Sequence, residues 1–284
     1  MSQKPPSPSG SASASAVDVA VLGLGNMGGA VLRGLLRHRV LPPERIGVCD
    51  LQPERVETFT NEGCRPLLPD DVAASPRILL AIKPQVFVRI APDLSSDGTD
   101  RLAISVMAGL RSSRIARALG PGTRVVRTMP NTPASIGAGM TAISPGPDST
   151  AADRAFVRAM FESVGTVVEI AEEHLYAVTA VSGSGPAWVF RKAEAWIDAA
   201  IAEGIPTPIA RSLVVETLYG AAKLLKELDQ DAASLREAVT SPGGTTAAGL
   251  KALEETSFEA AIHAAIRAAT ARGEELDRLD DPDQ

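Results

Sequence analysis

Six residues, Gly23-Leu24-Gly25-Asn26-Met27-Gly28, constrain the fold of this chain more than any other segment. They follow a short apolar run, Val17–Leu22, and precede Met27–Arg37, where Val31, Leu32, Leu35 and Leu36 share one helical face. A strand that turns through three glycines into a helix is a dinucleotide fingerprint. Gly23 permits the tight turn, Gly25 lets backbone approach a pyrophosphate, and Gly28 lets helix and strand pack closely. The spacing alone also fits a plain tight turn. The flanking strand and helix favour the nucleotide reading.

The alternation continues downstream. Arg45–Cys49, Ile78–Ile82, Leu102–Val106 and Arg124–Arg127 read as strands, and a helix opens at Pro53. Met140–Ile143 and Thr166–Glu169 extend the sheet. This pattern predicts an α/β domain over 17–170: a doubly wound, mostly parallel sheet with helices on both faces. After Ile170 the period changes. Phe190, Ala193, Ile197 and Ile201 recur at helical spacing, as do Val214, Leu218, Ala221 and Leu225, and later Phe258, Ile262, Ala265 and Ala269. Residues 171–284 are expected to form an all-α domain, thin and rich in Ala. Such a domain buries more surface by pairing with a second copy, so a homodimer is expected.

Residues 1–16 are rich in Ser, Ala and Pro and predict a disordered tail. They lack the apolar stretch of a secretory signal. Asp280–Gln284 reads as a frayed acidic end. The formal net charge of -6 argues against a nucleic-acid partner. No apolar run reaches the roughly 20 residues of a membrane span. Cys49 and Cys64 stand at no metal-ligand spacing and read as thiols of a reducing, cytoplasmic compartment. His38, His174 and His263 form no acid/base constellation, and no metal site is expected.

Several strand ends carry candidate ligands. Asp50 closes the second strand, where an acid bonds ribose hydroxyls and repels a 2′-phosphate. Arg55 follows closely enough to offset that repulsion, so NADPH and NADH both stay open. Capping the helix at Pro53 is the plainer role for Asp50. Lys83, in Ala81-Ile82-Lys83-Pro84-Gln85, faces either the cofactor or solvent. The small residues of Ser105-Val106-Met107-Ala108-Gly109 suit a backbone close to a nicotinamide ring. Asn131, between Pro130 and Pro133, serves a carboxamide or a rigid connector. Ser184 and Pro186 mark a helix start. Glu172 and Glu173 lie just upstream, as site residues or as solvated first-turn acids.

The segment Ser241-Pro242-Gly243-Gly244-Thr245-Thr246 adds what the fingerprint cannot. Two glycines before a helix offer bare N–H groups to an anion, and two hydroxyls follow. The acceptor is therefore expected to be small, anionic and hydrogen-bond-accepting.

Taken in order, GLGNMG, AIKPQ, VRTMPNTP, AVTAVSGSGPAWVF, GAAKLL and VTSPGGTTAAGL resemble pyrroline-5-carboxylate reductase from Val17 to about Leu276. The resemblance implies NADPH- or NADH-dependent reduction of 1-pyrroline-5-carboxylate to L-proline. It also implies a Rossmann domain followed by a helical dimerisation domain, assembled as a homodimer and in some members as a decamer. Gly23, Gly25, Asn26, Met27, Ile82, Lys83 and Ala108 match family cofactor positions; Gly28, Asp50, Pro84 and Asn131 complete the expected set. Ser241, Gly243, Gly244, Thr245 and Thr246, with Glu172, form the expected substrate set. Thr246 is the expected catalytic residue, its hydroxyl on the ring nitrogen. Two positions depart from the family: Trp188 replaces a usual Tyr, and Tyr176 replaces a common Asp. A related dehydrogenase of another cyclic imine or a 2-hydroxy acid is the competing enzyme reading. It requires a catalytic Lys or His, and Lys192, Lys223 and Lys226 lie in helical stretches without a supporting motif. A non-catalytic dinucleotide-binding or redox-sensing protein has no use for the Ser241–Thr246 loop.

Overall fold

The computed structural model describes residues 17–95 and 98–279. The tail expected over 1–16 and the acidic end from Asp280 lie outside the described residues. The chain divides into two compact units, one reaching to Leu175 and taking up the chain again from Leu276, the other running Tyr176–Glu275.

The first unit alternates strands and helices: β1 (Val19–Leu22), α1 (Asn26–Arg37), β2 (Ile46–Cys49), α2 (Pro53–Thr60), β3 (Arg65–Pro66), α3 (Pro69–Ala73), β4 (Arg77–Leu80), α4 (Pro84–Ile90), β5 (Arg101–Ser105), α5 (Ser112–Leu119), β6 (Thr123–Met129), β7 (Gly139–Pro145), α6 (Ala151–Glu162) and β8 (Gly165–Glu169). The strands form one sheet in the order β3-β2-β1-β4-β5-β6-β7-β8. Successive side chains point to opposite faces. Val19, Val21, Leu79, Ile104 and Val126 therefore pack with Leu32 and Leu35 of α1 and Phe161 of α6. Ala20, Leu22, Ile78, Leu80 and Ala103 pack on the other face with Phe87 of α4 and Ile115 of α5. The continuous apolar runs in the sequence are the signature of strands covered on both sides.

Two details go beyond the sequence reading of a mostly parallel sheet. β3 is a two-residue edge strand beside β2, too short for any periodicity, and it contains Pro66 as edge strands allow. β7 runs antiparallel to β6, with Arg127 opposite Ser144. A parallel return needs a crossover of a dozen or more residues. The link between β6 and β7 holds only a 3-10 turn, Thr132–Ile136.

The β5 side chain Arg101 is buried. Its guanidinium donates to the carbonyls of Ala73 (2.9 Å), Leu94 (2.6 Å) and Leu119 (2.7 Å), and to Thr123 Oγ1 (3.1 Å). Ala73 and Leu119 are the last residues of α3 and α5, where helix carbonyls carry partial negative charge. Both cysteines are free thiols. Burial, then Glu62, pushes Cys64 up to about 11.

The second unit is helical: α7 (Leu175–Val178), a π turn over Thr179–Gly183, α8 (Gly185–Ala202), α9 (Thr207–Glu227), α10 (Ala232–Ala238), α11 (Thr245–Glu255) and α12 (Phe258–Leu279), whose last residues count with the first unit. The helix start expected at Ser184–Pro186 is observed: α8 opens at Gly185, with Ser184 before it and Pro186 in its first turn. Ser184 keeps helical angles (φ -84, ψ -25) and makes no side-chain cap. Its N–H donates to Thr179 C=O at 2.8 Å, an i to i+5 bond. Pro186 stands in the first turn of α8, where a missing N–H forfeits no intrahelical bond. Tyr176 packs against α12, and a Cβ added to Gly273 would stand 3.2 Å from its ring.

Candidate active site

β1, β2, β4, β5 and β6 are parallel, so their carboxyl ends share one edge of the sheet. Leu22 pairs with both Cys49 and Leu80, and Leu80 pairs with Ser105. The chain winds away from β1 in both directions, and crevices in open α/β sheets form at this switch point. Gly23, Asp50, Ile82, Lys83, Ala108 and Asn131 follow five different strands and all lie along this edge.

The fingerprint glycines differ in what surrounds them. Gly23 has φ +95, and an added Cβ would press on the Ala81 carbonyl and Ile82. A Cβ on Gly28 would collide with the Gly23 carbonyl oxygen. A Cβ on Gly25 would meet only Arg55 Nη1, at 3.7 Å. Two glycines thus close the turn, and the third leaves an open face beside the N-terminus of α1. Those residues fit a dinucleotide: bare backbone, unbonded first-turn N–H groups and the positive helix end face an anion. Asn26 is exposed and Met27 half-buried on that turn.

Asp50 is only 9% exposed. Its Oδ2 accepts from Leu24 N–H at 2.6 Å, and its Oδ1 accepts from Gln52 N–H at 2.9 Å. Gln52, not Asp50, precedes α2 as its cap residue. Asp50 therefore braces the fingerprint turn. Arg55 Nη1 lies 3.6 Å from Asp50 Oδ2, and its side chain is 43% exposed. The more accessible charge of this pair is the cation. Lys83 is exposed and caps α4, followed by Pro84 at its first position. Ala108 is half-buried in the turn before α5. Asn131 Oδ1 accepts from Met140 N–H at 2.9 Å, tying the β6–β7 connection.

Glu172 also belongs to this unit. Its Oε1 accepts from Ser112 N–H (2.6 Å) and Arg127 Nη1 (3.0 Å), and its Oε2 from the Ser112 hydroxyl (2.6 Å). Burial by itself raises this carboxyl. The bonds from Ser112 and Arg127 outweigh burial and hold it below the ordinary glutamate value. The sequence offered no signal for the cluster, because Ser112, Arg127 and Glu172 come from separate elements.

In the helical unit, Ser241–Gly244 turn the chain from α10 into α11. Gly243 has φ +69, the left-handed region that favours glycine. A Cβ on Gly244 would collide with Ser241 Oγ. Gly244 N–H donates to Ser241 C=O at 3.0 Å, so it is committed to the turn. The helix ladder begins with Ala248 N–H to Gly244 C=O at 3.1 Å. The N–H groups of Thr245, Thr246 and Ala247 precede that ladder. Thr245 and Thr246 are exposed. Among the described residues no group of three or more His, Cys, Asp or Glu is placed to hold a metal ion. No described helix is long and apolar enough to cross a membrane.

Comparison with known proteins follows the same division. Residues 172–276 match the family model described as pyrroline-5-carboxylate reductase dimerisation. Residues 18–109 match one described as NADP oxidoreductase, coenzyme F420-dependent. The chain is 39% identical over 263 residues to the pyrroline-5-carboxylate reductase of Synechocystis, covering 92% of this chain and 98% of that protein. The structure of a pyrroline-5-carboxylate reductase from Coxiella burnetii superposes with a TM-score of 0.85 at 31% identity, covering 92% of this chain and 98% of that one. That of Plasmodium falciparum pyrroline carboxylate reductase with NADP bound does so at 0.82 and 27% identity, with the same coverage. With identity sustained across both units, the chain belongs to the pyrroline-5-carboxylate reductase family.

Proposed function

We propose that the protein reduces 1-pyrroline-5-carboxylate to L-proline with NAD(P)H, the final step of proline biosynthesis. The observation that carries this reading is the turn into α11, a glycine-built helix N-terminus followed by two exposed threonines. It offers an anion site and a hydroxyl donor within one turn, the pattern a cyclic imino acid needs. By function we divide the chain at 17–170 for the nucleotide and 171–284 for substrate and self-association, a few residues ahead of the boundary between the compact units at Leu175.

Gly23, Gly25, Asn26, Met27 and Gly28 hold the pyrophosphate, with Asp50 at the adenosine side. Ile82, Lys83, Pro84, Ala108 and Asn131 line the nicotinamide side. When bound, the reduced nicotinamide supplies the hydride. The N–H groups of Thr245, Thr246 and Ala247 donate to the substrate carboxylate at the positive end of α11. Ser241, Gly243 and Gly244 shape that turn. The Thr246 hydroxyl donates to the ring nitrogen and draws electrons from the imine carbon, making that carbon a better acceptor. Solvent is the ultimate proton source, because a threonine hydroxyl is a weak acid.

The helical unit exposes Phe190, Trp196, Leu213 and Tyr219, and its family match is a dimerisation domain. We assign the protein to the cytoplasm as a homodimer, with a decamer of five dimers as the larger assembly to examine. The test is steady-state oxidation of NADPH and of NADH by purified protein with added 1-pyrroline-5-carboxylate. Absence of substrate-dependent oxidation with either cofactor refutes the reading.

A further inference from the structure

The turn from Val106 to Arg111 joins β5 to α5 and carries Ala108. It lies on the far side of the β1–β4 switch point from Asp50. A dinucleotide with its adenosine by Asp50 extends its other half across the ends of β4 and β5. On the function proposed above, this turn meets the reactive ring.

Within the turn itself, Met107 N–H donates to Ser105 Oγ at 3.2 Å, and Gly109 takes φ +74. The stronger anchors arrive from two distant stretches of chain. On one side, Glu172 takes both the N–H and the hydroxyl of Ser112, the first residue of α5. Its remaining partner is Arg127, whose side chain is 5% exposed. On the other side, Asp277 Oδ2 accepts from Arg111 Nε at 2.8 Å. Leu276 covers Gly109 so closely that an added Cβ would stand 3.3 Å from Leu276 Cβ. These stretches flank the helical unit in sequence, since Glu172 precedes its first residue, Tyr176, and Leu276 follows its last, Glu275.

We propose that Glu172 and Asp277 are positioning residues that clamp the β5–α5 turn, so that the chain entering and the chain leaving the helical unit together set the nicotinamide side of the site. A cap on α5 explains only the Glu172 contacts. A substrate carboxylate ligand explains neither set, because a carboxylate repels another anion and both Glu172 oxygens are bonded. The Arg111–Asp277 pair and the Leu276–Gly109 contact grip the same turn independently, and a clamp accounts for all of them.

The test uses the full chain with Glu172→Gln, Asp277→Asn and the double variant. Glutamine keeps the size of Glu172 and discards its charge on Arg127. A loosened turn misplaces the ring without touching the adenosine or carboxylate contacts. Turnover is therefore expected to fall about tenfold in Glu172→Gln and further in the double variant, while KM for 1-pyrroline-5-carboxylate changes less than about twofold. The NADPH dissociation constant, read by fluorescence titration, is expected to stay within about twofold as well. Without any substrate, hydrogen exchange of the Val106–Arg114 segment is expected to speed up about tenfold while Val19–Met27 is unchanged. Glu172→Asp, which retains the charge, is expected to recover part of the turnover. Unchanged exchange in the double variant overturns the clamp. So does a fall in turnover matched by an equal loss of NADPH affinity, because that marks a merely structural role. Exchange reads the clamp whether or not wild type reduces the imine, so the two proposals fail separately.

Discussion

The sheet unit and the helical unit handle apolar residues in opposite ways. The eight-stranded sheet buries side chains on both faces, and Val19, Leu32, Ile78, Leu79 and Ile104 are wholly inaccessible. Among the described residues of the helical unit, the buried apolar set is Tyr176, Ala180, Ala210 and Val214. Phe190, Ile209, Leu213, Tyr219 and Leu224 each stay more than half exposed. A doubly wound sheet completes its own core within one chain. Helices apolar around much of their circumference need another surface to cover them. Completion thus separates a part that closes its own core from a part that leaves apolar faces open and matches a dimerisation domain.

The strongest way to break this comparison is to charge the exposed helical face. Leu213→Glu combined with Tyr219→Glu is expected to leave a species of 29.5 kDa in light scattering at micromolar concentration, and a melting temperature independent of protein concentration. A surviving dimer would mean that these helices are covered in some other way. The matching change in the sheet unit is Leu79→Ala. It is expected to cost about 3 kcal/mol of stability through the cavity it leaves. Calorimetry showing the same loss at low and high protein concentration would confirm that this core is independent of assembly.

The next contrasts concern the two halves of the chemistry. Thr246→Val is expected to lower turnover about a hundredfold, the scale of losing one transition-state hydrogen bond. Dinucleotide affinity, set in the other unit, is expected to hold. Unchanged turnover would remove Thr246 from the mechanism. Arg55→Ala is expected to weaken NADPH about tenfold and NADH little, because a guanidinium at a 2′-phosphate serves one cofactor only. Equal weakening of both in titrations would place Arg55 at the pyrophosphate instead.

The smallest expected effect is on acid stability. Glu172 is held below its ordinary value in the folded chain, first against the opposing effect of burial, by Ser112 and Arg127. Its contribution is present above the unfolded value near 4.5 and is lost as pH falls through the lower folded value. Glu172→Gln is therefore expected to flatten the decline in stability below about pH 4.5. An unaltered slope in acid titrations would mean that these bonds carry no such linkage.

Much of the sheet was legible because its signals are local. Val17–Leu22 reads as a strand, and the glycines after it read as a turn into a helix. The missed pieces depend on neighbours. β3 exists because β2 offers an edge to Arg65 and Pro66. β7 is antiparallel because its link is too short for a crossover. The π turn before α8 is closed by the Ser184 N–H on the Thr179 carbonyl, a bond that no residue pattern announces. At the site, Gly244 reads from sequence as an anion ligand, yet its N–H closes the turn onto Ser241. Asp50 reads as a ribose ligand, and its oxygens are also engaged by Leu24 and Gln52.

The sequence by itself determined the period of each segment, the two turns that need glycine, and the family, because these depend on residue type and spacing along the chain. Only the tertiary structure decided which polar groups are already satisfied. Ser112, Arg127 and Glu172, or Arg111 and Asp277, meet through packing of distant elements, and no spacing rule links them. Hydrogen bonds act over a few ångströms in space, so the partners of a carboxylate are settled only when the sheet, its helices and the returning end of α12 have come together.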